Sequence, residues 1–404
     1  MADQRKHTAG TAIRRIHLEG VVDLHFHFRN PAEAGDGRTE MLMEAVAHEH
    51  EAVVAIGNSA PPVTNQEEAD AYHGMLCRHR PAESDLIILV APLMTDRTTA
   101  EMVRKTRTSR PRTVGFWKAF FEGVSNDGGM SISDPALVHD AIRASYDDSA
   151  DAEPVSVHFH AERKYVRGHT GETEHRIPML EREWYCVDLD VREILEQHPD
   201  GIFVLKHITD WRTVEFVREY HRKGYRIYGE IAAQYLAQCF DDLWEGPGNK
   251  GTAFRANDVR WPLPKDRKSQ LAIIDAALSG EECFLFGSDC AWHLDDPTKE
   301  SGVKVTCDYV VCGGLAILPA VSLSIIIDCF VRAEKTEEDL NEFLSRRARR
   351  LLNLPPSQRR TRYERKNWEI PSLKEGVRGS KKIRVRLFMG GEKCAWRRSI
   401  SLPA

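Results

Sequence analysis

The chain has 404 residues, of which 42% are hydrophobic and 29% charged, with a formal net charge of -5. That length can bury a large core, and the balance is that of a globular protein, which excludes a fibrous or wholly disordered chain. The acidic excess argues against a nucleic-acid binder, which shows a basic balance or a basic face, and points to small-molecule partners.

Met1 to Arg15 carries charge without an apolar core of signal-peptide length, so residues 1–19 read as a polar lead-in. Short runs rich in Val, Ile, Phe and Tyr then predict strands over Gly20 to Phe28, Ala52 to Gly57, Leu86 to Leu93 and Thr113 to Phe120. Four more follow over Pro154 to His160, Ile202 to Ile208, Tyr225 to Leu236 and Glu282 to Asp289. Between them, helical spacing marks Thr39 to His50, Asn65 to Arg80, Asp134 to Tyr146, Trp211 to Arg222 and Asp266 to Ser279, with Asn65, Asp134 and Asp210 placed as caps. Alternation of strand and helix implies parallel strands. Eight such units suit an α/β fold of the (β/α)8 TIM-barrel type over residues 20–300, with an open doubly wound sheet ranked second.

Residues 301–354 read as a helical extension packed on the barrel. Its apolar run, Leu315 to Val331, is interrupted by Pro319, Ser322, Ser324 and Asp328, which fits a buried helix and not a membrane span. A basic helix over Thr336 to Leu352 carries Arg346, Arg347, Arg349 and Arg350, a solvated or salt-bridged face before it is a phosphate or partner site. Residues 355–404 form an appendage with a strand-like run at Lys382 to Phe388. Nine cysteines without a CxxC pair suit a reducing, cytoplasmic setting, and the loosely spaced Cys307 and Cys312 receive no metal role.

Polar residues stand where strands should be apolar. In Val22-Asp23-Leu24-His25-Phe26-His27-Phe28-Arg29, period two puts His25, His27 and Arg29 on one face, at the C-terminal end where barrel enzymes keep their chemistry. Two imidazoles so placed can chelate one divalent ion, whereas an isolated histidine such as His17 or His48 is more simply a hydrogen-bonded residue. Lys118 ends the fourth strand among aromatics; on its residues alone, snorkelling is the default, with an anionic partner or loss of charge as the alternatives. His158 and His160 flank Phe159 on the fifth strand, His207 follows the sixth, and Asp289 ends the eighth, with His293 beyond it. Imidazole and carboxylate are the usual zinc donors, and here they recur at strand ends.

These residues resemble the amidohydrolase superfamily, with its strand-one HxH, strand-four lysine, histidines on strands five and six, and strand-eight aspartate. More narrowly, the chain resembles the single-function bacterial dihydroorotases. Asn58-Ser59-Ala60-Pro61-Pro62-Val63-Thr64 is similar to that family's Asn-x-Ala-Pro-Pro-Val-Thr element. Leu205-Lys206-His207-Ile208-Thr209, the Leu263 to Gln270 region, Phe286-Gly287-Ser288-Asp289 and Lys299-Glu300-Ser301 match further, with a weaker echo at Phe388-Met389-Gly390-Gly391-Glu392.

The resemblance implies two divalent ions, zinc first, held by His25, His27 and Asp289 on one side and His158 and His207 on the other. An N6-carboxylated Lys118 would bridge them. It implies reversible cyclisation of N-carbamoyl-L-aspartate to (S)-dihydroorotate, in the de novo synthesis of pyrimidines. A hydroxide shared by the metals would be the nucleophile and Asp289 the proton carrier. Arg29, Asn58 and His293 would bind the substrate carboxylate. His160 stays open between replacing His158, supporting it, and lining the entrance, with the family alignment favouring His158. Pairing of two barrels into a homodimer is a further expectation. The chain departs from the family after Lys118, where Ala119-Phe120-Phe121 replaces a Leu-Tyr-Pro start, at Trp292, where a proline is common, and at Gln234-Tyr235-Leu236. Those departures keep two alternatives in view: a related amidohydrolase acting on another cyclic amide or ureide, and a non-catalytic family member.

Overall fold

The structure, a computed structural model, describes residues 13–28, 38–57, 59, 61–121, 131–148, 152–169, 171–244, 258–292, 316–378 and 381–399. In chain order its strands begin with β1 (Arg15–Glu19), β2 (Val21–His27), β3 (His50–Ile56), β4 (Ile87–Ala91), β5 (Leu93–Met94), β6 (Trp117–Phe120) and β7 (Val157–His160). They continue with β8 (Ile202–Leu205), β9 (Arg226–Ile231), β10 (Phe284–Phe286), β11 (Cys290–Ala291), β12 (Arg360–Glu369), β13 (Leu373–Arg378), β14 (Lys381–Arg386) and β15 (Lys393–Arg398).

Two parallel sheets, β11-β2-β3-β4 and β10-β9-β8-β7-β6-β5, make the barrel wall. They join at two interruptions of single runs. Pro92, which has no N–H for the ladder, separates β4 from β5, and Gly287 to Asp289 separates β10 from β11. Both faces of these strands are covered, which is why β2 is buried at all seven positions and the strands read as near-continuous apolar runs. Helices cover the outside, and their caps form as the sequence suggests: Asn65 Oδ1 accepts from Glu68 N at 2.9 Å and Asp210 Oδ1 from Arg212 N at 2.9 Å.

Several expectations need correction. The predicted strand Tyr225 to Leu236 stops at Ile231, and Ala233–Ala237 is helical, as its alanines and leucine favour once the barrel rim is passed. Helical segments at Ala100–Thr108, Arg182–Cys186 and Arg192–Gln197 were not expected. Residues 1–19 are not a lead-in throughout. β1 pairs antiparallel with β12, and β12 with β15, so the start of the barrel is tied to the C-terminal appendage. Ile16 and Leu18 are buried on one face while Arg15 and His17 stay exposed, an alternation too short to stand out in sequence. The run at Lys382 to Phe388 is β14, paired with β13.

The arginine cluster divides. Arg346 is salt-bridged to Glu19 and Glu338, and Arg350 to Glu342, as a charged face should be. Arg347 and Arg349 are buried instead. Arg347 donates to Phe284 O at 3.0 Å and Gly280 O at 2.9 Å, and Arg349 donates to Pro355 O at 2.7 Å and pairs with Glu51 at 2.9 Å. Removing the buried guanidinium leaves the largely covered Glu51 with Ser357 but no cation, so Arg349→Ala should lower stability by up to roughly 3 kcal/mol. A shift of the urea midpoint to lower concentration checks this; an unchanged midpoint contradicts it. Among the described residues no helix is long and apolar enough to cross a membrane.

Candidate metal centre

Strand alternation turns Asp23, His25 and His27 of β2 into the lumen in successive layers, all buried. The uppermost two meet Asp289. His25 Nε2 lies 3.1 Å from His27 Nε2 and 3.2 Å from Asp289 Oδ1, and His27 Nε2 lies 3.4 Å from the same oxygen. Donors around a tetrahedral zinc with bonds of roughly 2.0–2.1 Å stand about 3.3 Å apart, so this triangle has the edges of a metal site. A divalent ion therefore fits the residues present.

Lys118 does not snorkel. It is 1% exposed, and its Nζ lies 2.7 Å from His25 Nε2. Burial, and then the nearby Lys206 ammonium, push the Lys118 pKa down to about 7. Burial first, then Lys118 and Lys206, holds His25 well below the ordinary imidazole range; for His207 burial is followed by His160 and Lys118. Neutral imidazoles are the form that ligates a metal. Two of the donors, His207 (φ 36) and Asp289 (φ 53), adopt the left-handed backbone region. That conformation is rare for residues with a Cβ, and it concentrates at functional sites.

The structure brings His160, not His158, to His207. His160 Nδ1 lies 2.9 Å from His207 Nε2, and its other nitrogen lies 3.1 Å from Glu162 Oε2. His158 lies elsewhere: its Nε2 is 2.9 Å from Ser156 Oγ, and its ring stacks on Phe116 with centroids 3.5 Å apart. Both histidines face the lumen as the period requires, but two residues along a strand is roughly 6.6 Å, so His158 sits one layer deeper. Lys118 shares that deeper register, opposite His158, and only its long stem reaches the upper layer.

Three further buried groups were not singled out from sequence: Glu162 beside His160, Lys206, and Glu230 of β9, whose Oε1 lies 2.8 Å from His25 Nδ1. The signal was present in Glu230, a carboxylate inside a run otherwise fit for a buried strand. Arg29, Asn58 and His293 lie outside the described residues, as do Cys307, Cys312 and most of the loop after Phe121. In a second donor group, His169, Glu172 and His175, the carboxylate is exposed and the two histidines are half-buried. A cavity of about 340 Å³ lies at the opposite end of the barrel, lined by Ile202, Arg226 and Arg347, remote from the donors.

No family model matches the chain. Among curated proteins it is similar to the dihydroorotase of Halorhodospira halophila, 27% identical over 379 residues that span 93% of this chain and 96% of the relative. It is also similar to that of Pseudomonas fluorescens, 26% identical over 386 residues, 95% of this chain and 97% of the relative. Among solved structures, Saccharomyces cerevisiae dihydroorotase in complex with 5-fluoroorotic acid superposes with a TM-score of 0.77 at 19% identity, over 96% of this chain and 100% of that one. The expected barrel is thus the fold of this chain.

Proposed function

We infer that this chain is a dihydroorotase of the amidohydrolase superfamily, interconverting (S)-dihydroorotate and N-carbamoyl-L-aspartate in pyrimidine synthesis. The observation that carries this is the triangle of His25, His27 and Asp289 with Lys118 against it, in a chain similar to dihydroorotases along nearly its whole length. A related hydrolase of other cyclic amides would share the barrel, so the ligand pocket decides between them.

In this reading His25, His27 and Asp289 hold one divalent ion and His160 and His207 the other, His160 taking the place expected of His158. Lys118, as its carbamate, would supply the anionic ligand common to both. Zinc suits the mixed imidazole and carboxylate set, which also accommodates manganese or cobalt. When bound, the ions supply a water of lowered pKa and an electrophile for the amide carbonyl. Asp289, at the mouth, accepts the proton of the attacking water and delivers it to the ring nitrogen as the C–N bond breaks; the reverse transfer accompanies ring closure. Arg29, Asn58 and His293 anchor the substrate carboxylate, Arg29 through a charge-assisted pair. Glu162, bonded to His160 Nε2, keeps Nδ1 turned toward His207.

Metal analysis separates the two histidines: His160→Ala should lose one of two bound ions, whereas His158→Ala should keep both. The opposite pattern would restore His158 to the ligand set. For the activity itself, metal-loaded protein should turn over dihydroorotate and N-carbamoyl-aspartate and leave hydantoin and dihydrouracil nearly untouched. Preference for either of the latter would identify the related hydrolase instead.

A further inference from the structure

We infer that Glu230 is a positioning residue on which both halves of the ligand set depend, aligning His25 through its Nδ1 and His207 through its backbone N–H. The inference rests on the two-metal reading above and extends it to a residue outside the proposed ligands. Glu230 is fully buried on β9 and faces the lumen. Its Oε1 lies 2.8 Å from His25 Nδ1 and accepts from His207 N at 3.3 Å. A carboxylate acceptor at Nδ1 keeps the proton there and leaves the Nε2 lone pair facing His27, Asp289 and Lys118. The second contact bears on His207, whose left-handed backbone (φ 36) needs something to hold it.

Two observations argue that this carboxylate is there for more than packing. Its other oxygen pairs with the Lys206 ammonium, which also donates to Leu24 O at 2.9 Å and lies 4.7 Å from the centre of the Phe116 ring. A wholly buried ion pair is commonly no more stable than apolar residues of similar volume, so stability alone does not account for it. The second observation is Gly287. A Cβ at that position would run into the Glu230 carboxylate. The glycine of Phe286-Gly287-Ser288-Asp289 therefore leaves room for Glu230 two residues before a proposed ligand. Segments from β9, the end of β8 and the end of β10 thus converge on one carboxylate.

The test measures cobalt and zinc affinity by chelator competition, with the visible absorption of the cobalt form, on folded protein checked by circular dichroism. Glu230→Gln is combined with Lys206→Met so that no ammonium is stranded, and Gly287→Ala displaces the carboxylate while keeping it in the chain. Both variants should bind the two ions about 10–100-fold more weakly, the usual effect of losing a group behind a metal ligand, with a shifted cobalt spectrum. Glu162→Gln, which touches only His160 among the donors, should weaken one ion alone. A merely structural role would lower the melting temperature and leave both affinities unchanged in the folded variants, and that result overturns the inference. An unaltered chain that takes up no metal would instead overturn the two-metal reading.

Discussion

Lys118→Ala should lose turnover by a factor on the order of 10⁴ or more, the scale seen when one member of a catalytic unit is removed. The reason is charge. Two divalent ions would face four neutral imidazoles and a single carboxylate, Asp289, at the mouth of the barrel. A buried amine beside His25, with its pKa pushed to about 7 by burial and by Lys206, can combine with carbon dioxide to give a carbamate and a proton. That would add a second negative group to the ligand set. Alanine removes the bridge and leaves a space, so a short carboxylic acid in the buffer should restore part of both metal content and activity. Full activity in Lys118→Ala would exclude the carbamate.

Asp289→Asn should lower kcat by roughly 10²–10⁴-fold, the usual contribution of a positioned acid–base group. The substitution is informative because asparagine tolerates the left-handed backbone that Asp289 adopts (φ 53) and keeps an oxygen toward His25 and His27. The geometry should survive while the proton carrier is lost. The expected signature is a variant that retains most of its metal and little of its turnover. Loss of metal in step with activity would assign Asp289 the role of ligand alone.

The barrel was legible because its strands are buried on both faces and their apolar runs alternate with amphipathic helices. Histidines in such runs, at His25, His27 and His207, stood out for the same reason. What the sequence could not resolve was depth. His158 and His160 point the same way from β7, and only the register against β6 and β8 shows which of them reaches the layer of His207. Lys118 was equally ambiguous, since snorkelling and burial differ only in what surrounds the stem. Glu230 and Lys206 received no role from the sequence because their meaning lies in each other: apart by 24 residues, they become a buried pair only once β8 and β9 are neighbours. The tie between β1 and β12 depends on pairing between the two ends of the chain, and no local pattern announces it.

The most direct measurement is a crystal structure of the zinc-loaded protein with dihydroorotate bound, using anomalous scattering to locate the ions. One ion should lie among His25, His27 and Asp289, and a second against His160 and His207. Lys118 should be carboxylated between them, with the ligand carboxylate on Arg29, Asn58 and His293. A single ion, or a ligand whose amide carbonyl lies away from Asp289, would contradict the assignment.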